Sequence, residues 1–542
     1  MIVLGISGGH DANWCVVKDG VLLGAFEKER FNRRRHARGE VASLVPGTLS
    51  RLGLSVRDID VVATSEPVHQ GGNPGLRRMA GKTYERIDEF EIQIVELLGR
   101  TLPCVSIPHH VAHAAYARYT SPFQETVAIT WDGGGDYFTL DAYSSTTVST
   151  WRGGRMEWID RLPNVDYGSL WFTYSRSIFR DPRTAGKLMG LAAYGSPTLL
   201  DEFRAHYVMT IYERGPFVGA SVLRSCWPEY ENPPFVQSHL TWEDHHAQDI
   251  AFAVQAITTE AGVSLARTVR ELTGANNLVV AGGVALNGYM NTSIRREAGY
   301  RDVSIPPAVD DGGISVGSAL FATHHVFEVP FRPNDGFDWA TVGMWWDEEE
   351  VRNVLETHGL TYSKIASEDA IDEAARGIAR EQIVAWFDGR AEHGPRALGS
   401  RSLLSAVHKD SLRLRLNKEV KYREPFRPVA PVVPAARAQD YFDLDWESPY
   451  MMYIVPVTDR SVTECPAIVH VDRTARVQTV RDDSPFGQIA NALQSMESPP
   501  MFVNTSFNVK SPIVNSPTDA IRTFLSQKID MLYIQGHLVK RP

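Results

Sequence analysis

"IVLGISGGHDANWCVVKDGVLLGAFEKER", residues 2–30, and "VAITWDGGGDYFTLDAYSS", residues 127–145, begin alike. Each is an apolar strand that runs into a glycine-rich turn carrying an aspartate, and then into a second, alternating strand. Glycine at such a turn lets backbone N–H groups approach an anion closely, because no side chain stands between them. The same device used twice predicts a duplicated α/β fold that grips a nucleotide between its halves. Two more turns of this kind, "LVVAGGVALN" (278–287) and "DDGGISVGSAL" (310–320), each lead into a helix. Gly133, Gly134, Gly282, Gly283, Asn287 and Gly312 are the candidates for nucleotide contact on these turns. "TAGKLMGLAAYG" (184–195) adds Lys187, either a phosphate contact or a surface lysine near a helix start.

With 542 residues, 43% hydrophobic and 22% charged, the chain is long enough for two domains with cores of their own. The net charge of −10 leaves no global electrostatic footprint for nucleic acid. No apolar run reaches the ~18 residues of a membrane span. The chain opens directly as a strand, without a basic segment or a small-residue cleavage site, so no signal peptide is expected. Cys15, Cys104, Cys226 and Cys465 are far apart and form no CxxC pair, which fits buried thiols in a cytoplasmic protein. A helix and strand over "DAIDEAARGIAREQIVAWFDG" (369–389) open the second domain, so the expected domains are 1–350 and 351–542.

"SIPHHVAHAAYARYT" places His109 and His113 on one face of a helix that starts after Pro108. Two imidazoles one turn apart can share a metal ion, or can simply be satisfied on a helix face. Asp132 and Asp311, at turns expected to converge on one cleft, would complete a two-histidine, two-aspartate set. Mixed nitrogen and oxygen ligation suits iron, manganese or zinc better than calcium. His10 and Asp11 lie in the first turn. They read either as a turn-stabilising pair or as a base able to take a proton from an attacking hydroxyl. The basic run "KERFNRRRHARG" (28–39) is a solvated face or an anion clamp.

The second half is rich in arginines held among glycines and prolines. "GPRALGSRSLL" (394–404) carries Arg396 and Arg401, with Arg390 just before it. Lys421, Arg423 and Arg427 follow in "NKEVKYREPFRPVAPVV" (417–433), and Arg476 in "VDRTARVQTV" (471–480). Guanidinium forks suit phosphate or carboxylate because two N–H bonds form in parallel. Asn504, Thr505 and Ser506 in "FVNTSFNVKSPIV" (502–514) would add neutral donors. The expectation is an anion site.

Read together, "GHDA", "EKERF…RRRH", "PHHVAHAA", "WDGGGD", "AGKLMGLAAYG", "AGGVALN", "DDGGISVGSA", "EHGPRALGSRS", "NKEVKYREPFRPVAP", "RTARVQTV" and "NTSFNV" resemble the O-carbamoyltransferases of antibiotic and nodulation-factor biosynthesis. The resemblance implies an actin-like ATPase (Kae1-like) domain followed by a YrdC-like α/β domain. It implies that the second domain makes carbamoyl-adenylate from ATP, with Mg2+, and carbamoyl phosphate. Arg396, Lys421, Arg427, Arg476, Asn504 and Ser506 would hold those phosphates. The first domain would transfer the carbamoyl group to a hydroxyl of a small natural product. Iron(II) or another divalent metal would sit on His109, His113, Asp132 and Asp311, and His10 with Asp11 would serve the acceptor hydroxyl. Arg35 stands where the family usually has a lysine, beside the first-domain nucleotide. Ala185 replaces a usual glutamate, and "KSP" (510–512) shortens a "GEP" loop. Related domains also serve tRNA threonylcarbamoylation, and a nucleotide-regulated actin-like protein without chemistry is a further reading. No motif bears on self-association, so a homodimer stays open.

Overall fold

The computed structural model describes residues 1–65, 90–133, 137–139, 142–143, 145–152, 155–162, 164–211, 215–236, 240–333 and 336–541. Gly134 lies outside them. The chain divides into two compact units. The first is Met1–Lys28 with His36–Trp339, and the second is Glu29–Arg35 with Ala340–Pro542. The second unit therefore starts at Ala340, ahead of the position 351 read from the sequence, and it claims a short segment of the N-terminal basic run.

The first unit contains two sheets built to one plan. In one, the strand order is Val21–Glu27, Asn13–Lys18, Ile2–Ser7, Val61–Thr64, Arg100–Ser106 and Glu91–Leu97. In the other it is Arg155–Arg161, Thr146–Arg152, Glu125–Trp131, Asn277–Ala281 and Asp302–Ser304. In both, the first three strands are antiparallel and the third pairs in parallel with the fourth, as the fourth does with the fifth. The duplication read from the two Gly-rich turns is thus a duplication of sheets, the arrangement of an actin-like ATPase. The apolar centres of the strands explain why they are buried: Val3, Leu4, Val16, Val127, Ile129 and Val279 are all at most 0% exposed.

Two helices lock the halves together. Helix His109–Thr120 is buried from His110 to Tyr119, which is why small alanines alternate with its tyrosines. Helix Ile314–Phe321 lies against it so closely that a Cβ on Gly317 would stand 1.9 Å from the Ala112 carbonyl oxygen. Only glycine permits that approach. A long amphipathic helix spans His245–Thr273 and ends at Gly274 in the left-handed region.

The second unit is built on an eight-stranded sheet, in the order Ser363–Lys364, His537–Lys540, Met531–Ile534, Val384–Phe387, Arg401–Ser405, Phe502–Ser506, Ala430–Pro434 and Gln478–Val480. Helices Ser367–Ala379 and Pro485–Ser495 cover it over Ile378, Trp386, Leu404, Val432, Ile489 and Phe502. Arg401 and Arg390, expected to await an anion, are part of this framework. Arg401 is fully buried, donates to the carbonyls of Asp388, Ser400, Met344 and Gly389, and stacks 3.6 Å from the Phe387 ring centroid. Arg390 donates to the carbonyls of Gly343 and Val342 and lies over Trp345. Both Nη groups of Arg401, and Nε and Nη2 of Arg390, are spent on backbone carbonyls, so both side chains brace the framework.

Candidate functional sites

In the first unit, helix geometry places His109 and His113 one turn apart at the N-terminal end of His109–Thr120. Asp132 follows strand Glu125–Trp131, and its Oδ1 accepts the Gly283 N–H at 3.1 Å. Asp311 opens the turn before helix Ile314–Phe321. That turn is stapled by Asn13. Its Nδ2 donates to the carbonyls of Asp11 at 2.7 Å and Asp311 at 2.8 Å, and its Oδ1 accepts the Ser315 N–H. The four side chains predicted from sequence meet. His109 Nε2 lies 3.1 Å from Asp132 Oδ2, 3.6 Å from Asp311 Oδ1 and 3.2 Å from His113 Nε2. His113 Nε2 lies 3.5 Å from Asp132 Oδ2 and 3.4 Å from Asp311 Oδ1. His110 turns away to Thr147.

These spacings fit a metal. For an ion held by nitrogen and oxygen at about 2.0–2.2 Å, adjacent ligand atoms stand roughly 3.0–3.5 Å apart. The electrostatics agree. Burial alone would lower the pKa of His113, but the hydrogen bonds and charges of Asp132 and Asp311 outweigh it and push it up to about 10. Asp132 is driven the other way, well below the carboxylate range, by His109 and His113 against its own burial. The cluster calls for positive charge, and a divalent cation supplies it without protons.

A second cluster joins His10, Asp11 and His36. Asp11 Oδ2 is 2.6 Å from His10 Nδ1 and its Oδ1 is 2.8 Å from His36 Nδ1. The two rings stack with centroids 4.9 Å apart. Asp11 reaches both from a left-handed backbone, φ 55°. Burial disfavours the His10 imidazolium, yet Asp11 raises its pKa on balance. His36 was not singled out in the sequence, where it looked like the end of a basic run.

The expected nucleotide set is only partly assembled. Gly133, Gly282 and Gly283 gather around Asp132: Gly282, φ 88°, packs on the Trp131 carbonyl, and the ring of Phe172 fills the place of a Gly133 side chain. Phe172 in turn stacks on Trp227, which is 38% exposed. The Gly283 and Gly312 amides are already engaged, by Asp132 and Asp310. Asn287 caps helix Gly288–Glu297 and exchanges hydrogen bonds with Gln255, so its role here is structural. Lys187 lies 5.4 Å from the Phe179 ring centroid. Arg35 is corrected from the first domain to the second unit.

In that unit Arg33 donates to the carbonyls of Pro512 and Ile513, both at 2.6 Å, Arg30 to that of Gly394, and Arg35 to that of Ser511. The shortened "KSP" loop is the docking point for this segment. Arg35 thereby joins Arg396, Lys421, Arg423, Arg427 and Arg476 in one cationic group. Burial lowers the pKa of Arg476 well below its usual range, and Arg396, Arg423 and Arg427 lower it further. Its Nε is buried without a hydrogen-bond partner. Burial likewise depresses Lys421, helped by Arg423, Arg35 and Arg427. Glu424, 3.8 Å from Arg427 Nη1, offsets a single charge.

Within the group, roles differ from the expectation. The Lys421 ammonium is surrounded by the carbonyls of Ser506 (2.6 Å) and Asn508 (2.9 Å) and by Asn508 Oδ1 (2.6 Å). All three of its hydrogens serve the 506–508 turn, so it positions that turn instead of presenting N–H bonds outward. Ser506 Oγ is tied to Asn508, and Asn504 Nδ2 bonds the Ala397 carbonyl at 2.9 Å and Gln478 Oε1 at 2.8 Å. Two residues unseen in the sequence hold the Arg396 loop. Gln478 donates to the Leu398 carbonyl, and buried Glu392 accepts four backbone N–H groups, from Leu398, Gly399, Ser400 and Arg401, on one oxygen. The glycine-rich loop thus wraps its own carboxylate, which leaves anion binding to side chains.

Known proteins share this pairing of units. Residues 78–320 match the family model described as Carbamoyltransferase N-terminus, and residues 375–541 the one described as Carbamoyltransferase C-terminus. The chain is 31% identical over 467 residues to nodulation protein NolO of Bradyrhizobium diazoefficiens, covering 80% of this chain and 79% of the relative. It is 27% identical over 536 residues to the 3'-hydroxymethylcephem-O-carbamoyltransferase of Amycolatopsis lactamdurans, covering 96% of each. A solved structure of HypF in a phosphate- and nucleotide-bound form aligns with a TM-score of 0.35 at 17% identity, over 60% of this chain and 55% of that one. The chain belongs to the carbamoyltransferase family. Among the described residues, no helix is long and apolar enough to cross a membrane.

Proposed function

We propose that this chain is an ATP-dependent O-carbamoyltransferase with its two chemical steps in its two units. The observation that carries the reading is the half-buried Arg476, whose buried Nε has no hydrogen-bond partner and which is set among like charges in a family whose substrate is a carbamoyl donor. An anion placed in such a cation cluster relieves the repulsion between its like charges. Carbamoyl phosphate and the phosphates of ATP with Mg2+ are the anions that fit. Water releases inorganic phosphate from carbamoyl phosphate, and a carbamate oxygen then attacks the α-phosphorus of ATP, expelling pyrophosphate and leaving carbamoyl-adenylate. Arg396, Arg427 and Arg476 neutralise the charge that collects on the phosphoryl oxygens, and Arg35 joins them. Lys421, Asn504 and Ser506 shape the turn beside them.

In the first unit, the acceptor hydroxyl attacks the carbamoyl carbon, AMP departs, and the proton goes to His10, whose Nδ1 is held by Asp11. A divalent metal, iron(II) by family resemblance, would be held by His109, His113, Asp132 and Asp311 and would supply Lewis acidity toward phosphate or carbonyl oxygen. Gly133, Gly282 and Gly283 would border the nucleotide. The acceptor is a small hydroxylated compound, and the Phe172–Trp227 pair beside Asp132 offers it an aromatic wall. The domain division, the cytoplasmic location and self-association as a homodimer belong to the same reading. Pyrophosphate release from ATP that requires carbamoyl phosphate, followed by a one-carbamoyl mass gain on an added alcohol, tests it. Pyrophosphate release that is absent, or indifferent to carbamoyl phosphate, overturns it.

A further inference from the structure

Against the loop that follows Arg396, two buried acceptors of the second unit have nothing to accept. Glu392 is 1% exposed, and its Oε1 takes all four backbone N–H groups of Leu398–Arg401. Its Oε2 is buried and has no hydrogen-bond partner. Asn504, also 1% exposed, spends both amide hydrogens on the Ala397 carbonyl and Gln478 Oε1, which fixes the orientation of its amide. Its Oδ1 is buried and unpartnered as well.

The two are tied to one short loop. Asn504 holds Ala397, Gln478 holds Leu398, and Glu392 holds Leu398 through Arg401. Arg396 precedes the tied residues directly, and Arg476 stands two residues before Gln478. Unfilled acceptors at a site otherwise made of donors are costly to bury, and a ligand that brings hydrogens relieves the cost. Phosphate oxygens bring none. A primary amide brings two.

We propose that Glu392 Oε2 and Asn504 Oδ1 accept the two N–H bonds of the substrate's amino group, and so make the site selective for a carbamoyl over an acetyl phosphate. The inference rests on the proposed carbamoyl phosphate site and adds how its uncharged end is recognised. Acetyl phosphate is the informative comparison, because it replaces the amino group by a methyl of similar size and leaves both acceptors unfilled. Sites built to bond an N–H reject an analogue lacking it far more strongly than apolar pockets reject a missing methylene.

The experiment measures competition by carbamoyl phosphate, acetyl phosphate and inorganic phosphate for the full-length protein with ATP, in wild type and in Glu392→Gln. Wild type should prefer carbamoyl to acetyl phosphate by at least about tenfold, and the variant, which sets a donor where Oε2 stood, should lose most of that preference. Inorganic phosphate should bind both proteins alike, which separates recognition of the amide from a loosened loop. Equal affinity of wild type for carbamoyl and acetyl phosphate overturns the assignment and needs no variant. An undiminished preference in Glu392→Gln, or a parallel loss of inorganic phosphate binding, also overturns it. Failure of the underlying site looks different: wild type would then bind none of the three and release no pyrophosphate.

Discussion

Asp11 Oδ1 lies 2.8 Å from His36 Nδ1, while the other oxygen of the same carboxylate lies 2.6 Å from His10 Nδ1. One aspartate thus orients two imidazoles. With the His10 Nδ1–H donated to Asp11, Nε2 is the ring nitrogen left to accept a proton, the state a general base needs.

Asp11→Asn and His10→Asn should therefore leave carbamoyl-phosphate-dependent pyrophosphate release intact and slow transfer to an alcohol by about 10²–10⁴-fold. His36→Ala should have a smaller effect in the same direction, because it frees one side of Asp11. Single-turnover assays that separate the steps check this. Equal loss of both steps would show that the cluster serves folding instead.

Arg396→Ala, Arg427→Ala and Arg476→Ala should each cripple pyrophosphate release. A charge-assisted hydrogen bond contributes about 1.5–3 kcal/mol, so loss of one bond costs roughly ten- to a hundredfold in affinity for the anion. Arg401→Ala should instead lower the melting temperature, since its guanidinium bonds four backbone carbonyls. Thermal melts paired with phosphate titration distinguish the two classes.

That contrast marks where sequence reading stops. Nothing in the local sequence says that Arg401 folds back onto Phe387 while the Arg476 Nε stays unpartnered. The duplication was legible because strand, glycine turn and aspartate are contiguous, and the His109/His113 pair because helical spacing fixes it. Asn13, His36, Glu392 and Gln478 were not legible. Asn13 acts across 298 positions of chain, and Gln478 across 80. Glu392 works only because a loop closes around it. Arg35 was misplaced for the same reason, since its neighbours Lys421 and Arg427 are remote in sequence.

Metal content follows the four-ligand cluster. His113→Ala should reduce bound metal by at least about tenfold in elemental analysis, because it removes a buried first ligand whose neighbours cannot close the gap. Chelation of wild type should lower its melting temperature, and re-addition of a divalent ion should restore it. Unchanged metal in the variant would dismiss these ligands.

Asp166 gives the first unit a measurable pH dependence. Its Oδ1 accepts the Ser169 N–H at 2.9 Å, at the start of helix Gly168–Phe179, and the residue is 1% exposed. Burial pushes its pKa up to about 6 from an ordinary 3.8, bonds from Ser169 and Ser145 hold it back, and Asp132 adds to the rise. The folded state therefore keeps the proton longer than the unfolded chain does. Relative stability is full below 3.8 and is lost as pH rises through about 6, a change of roughly 3 kcal/mol. Asp166→Asn keeps an oxygen for Ser169 and cannot ionise. Between pH 4 and 7 the wild type should lose stability against this variant in chemical denaturation, and parallel curves would mean that Asp166 titrates as an ordinary carboxylate.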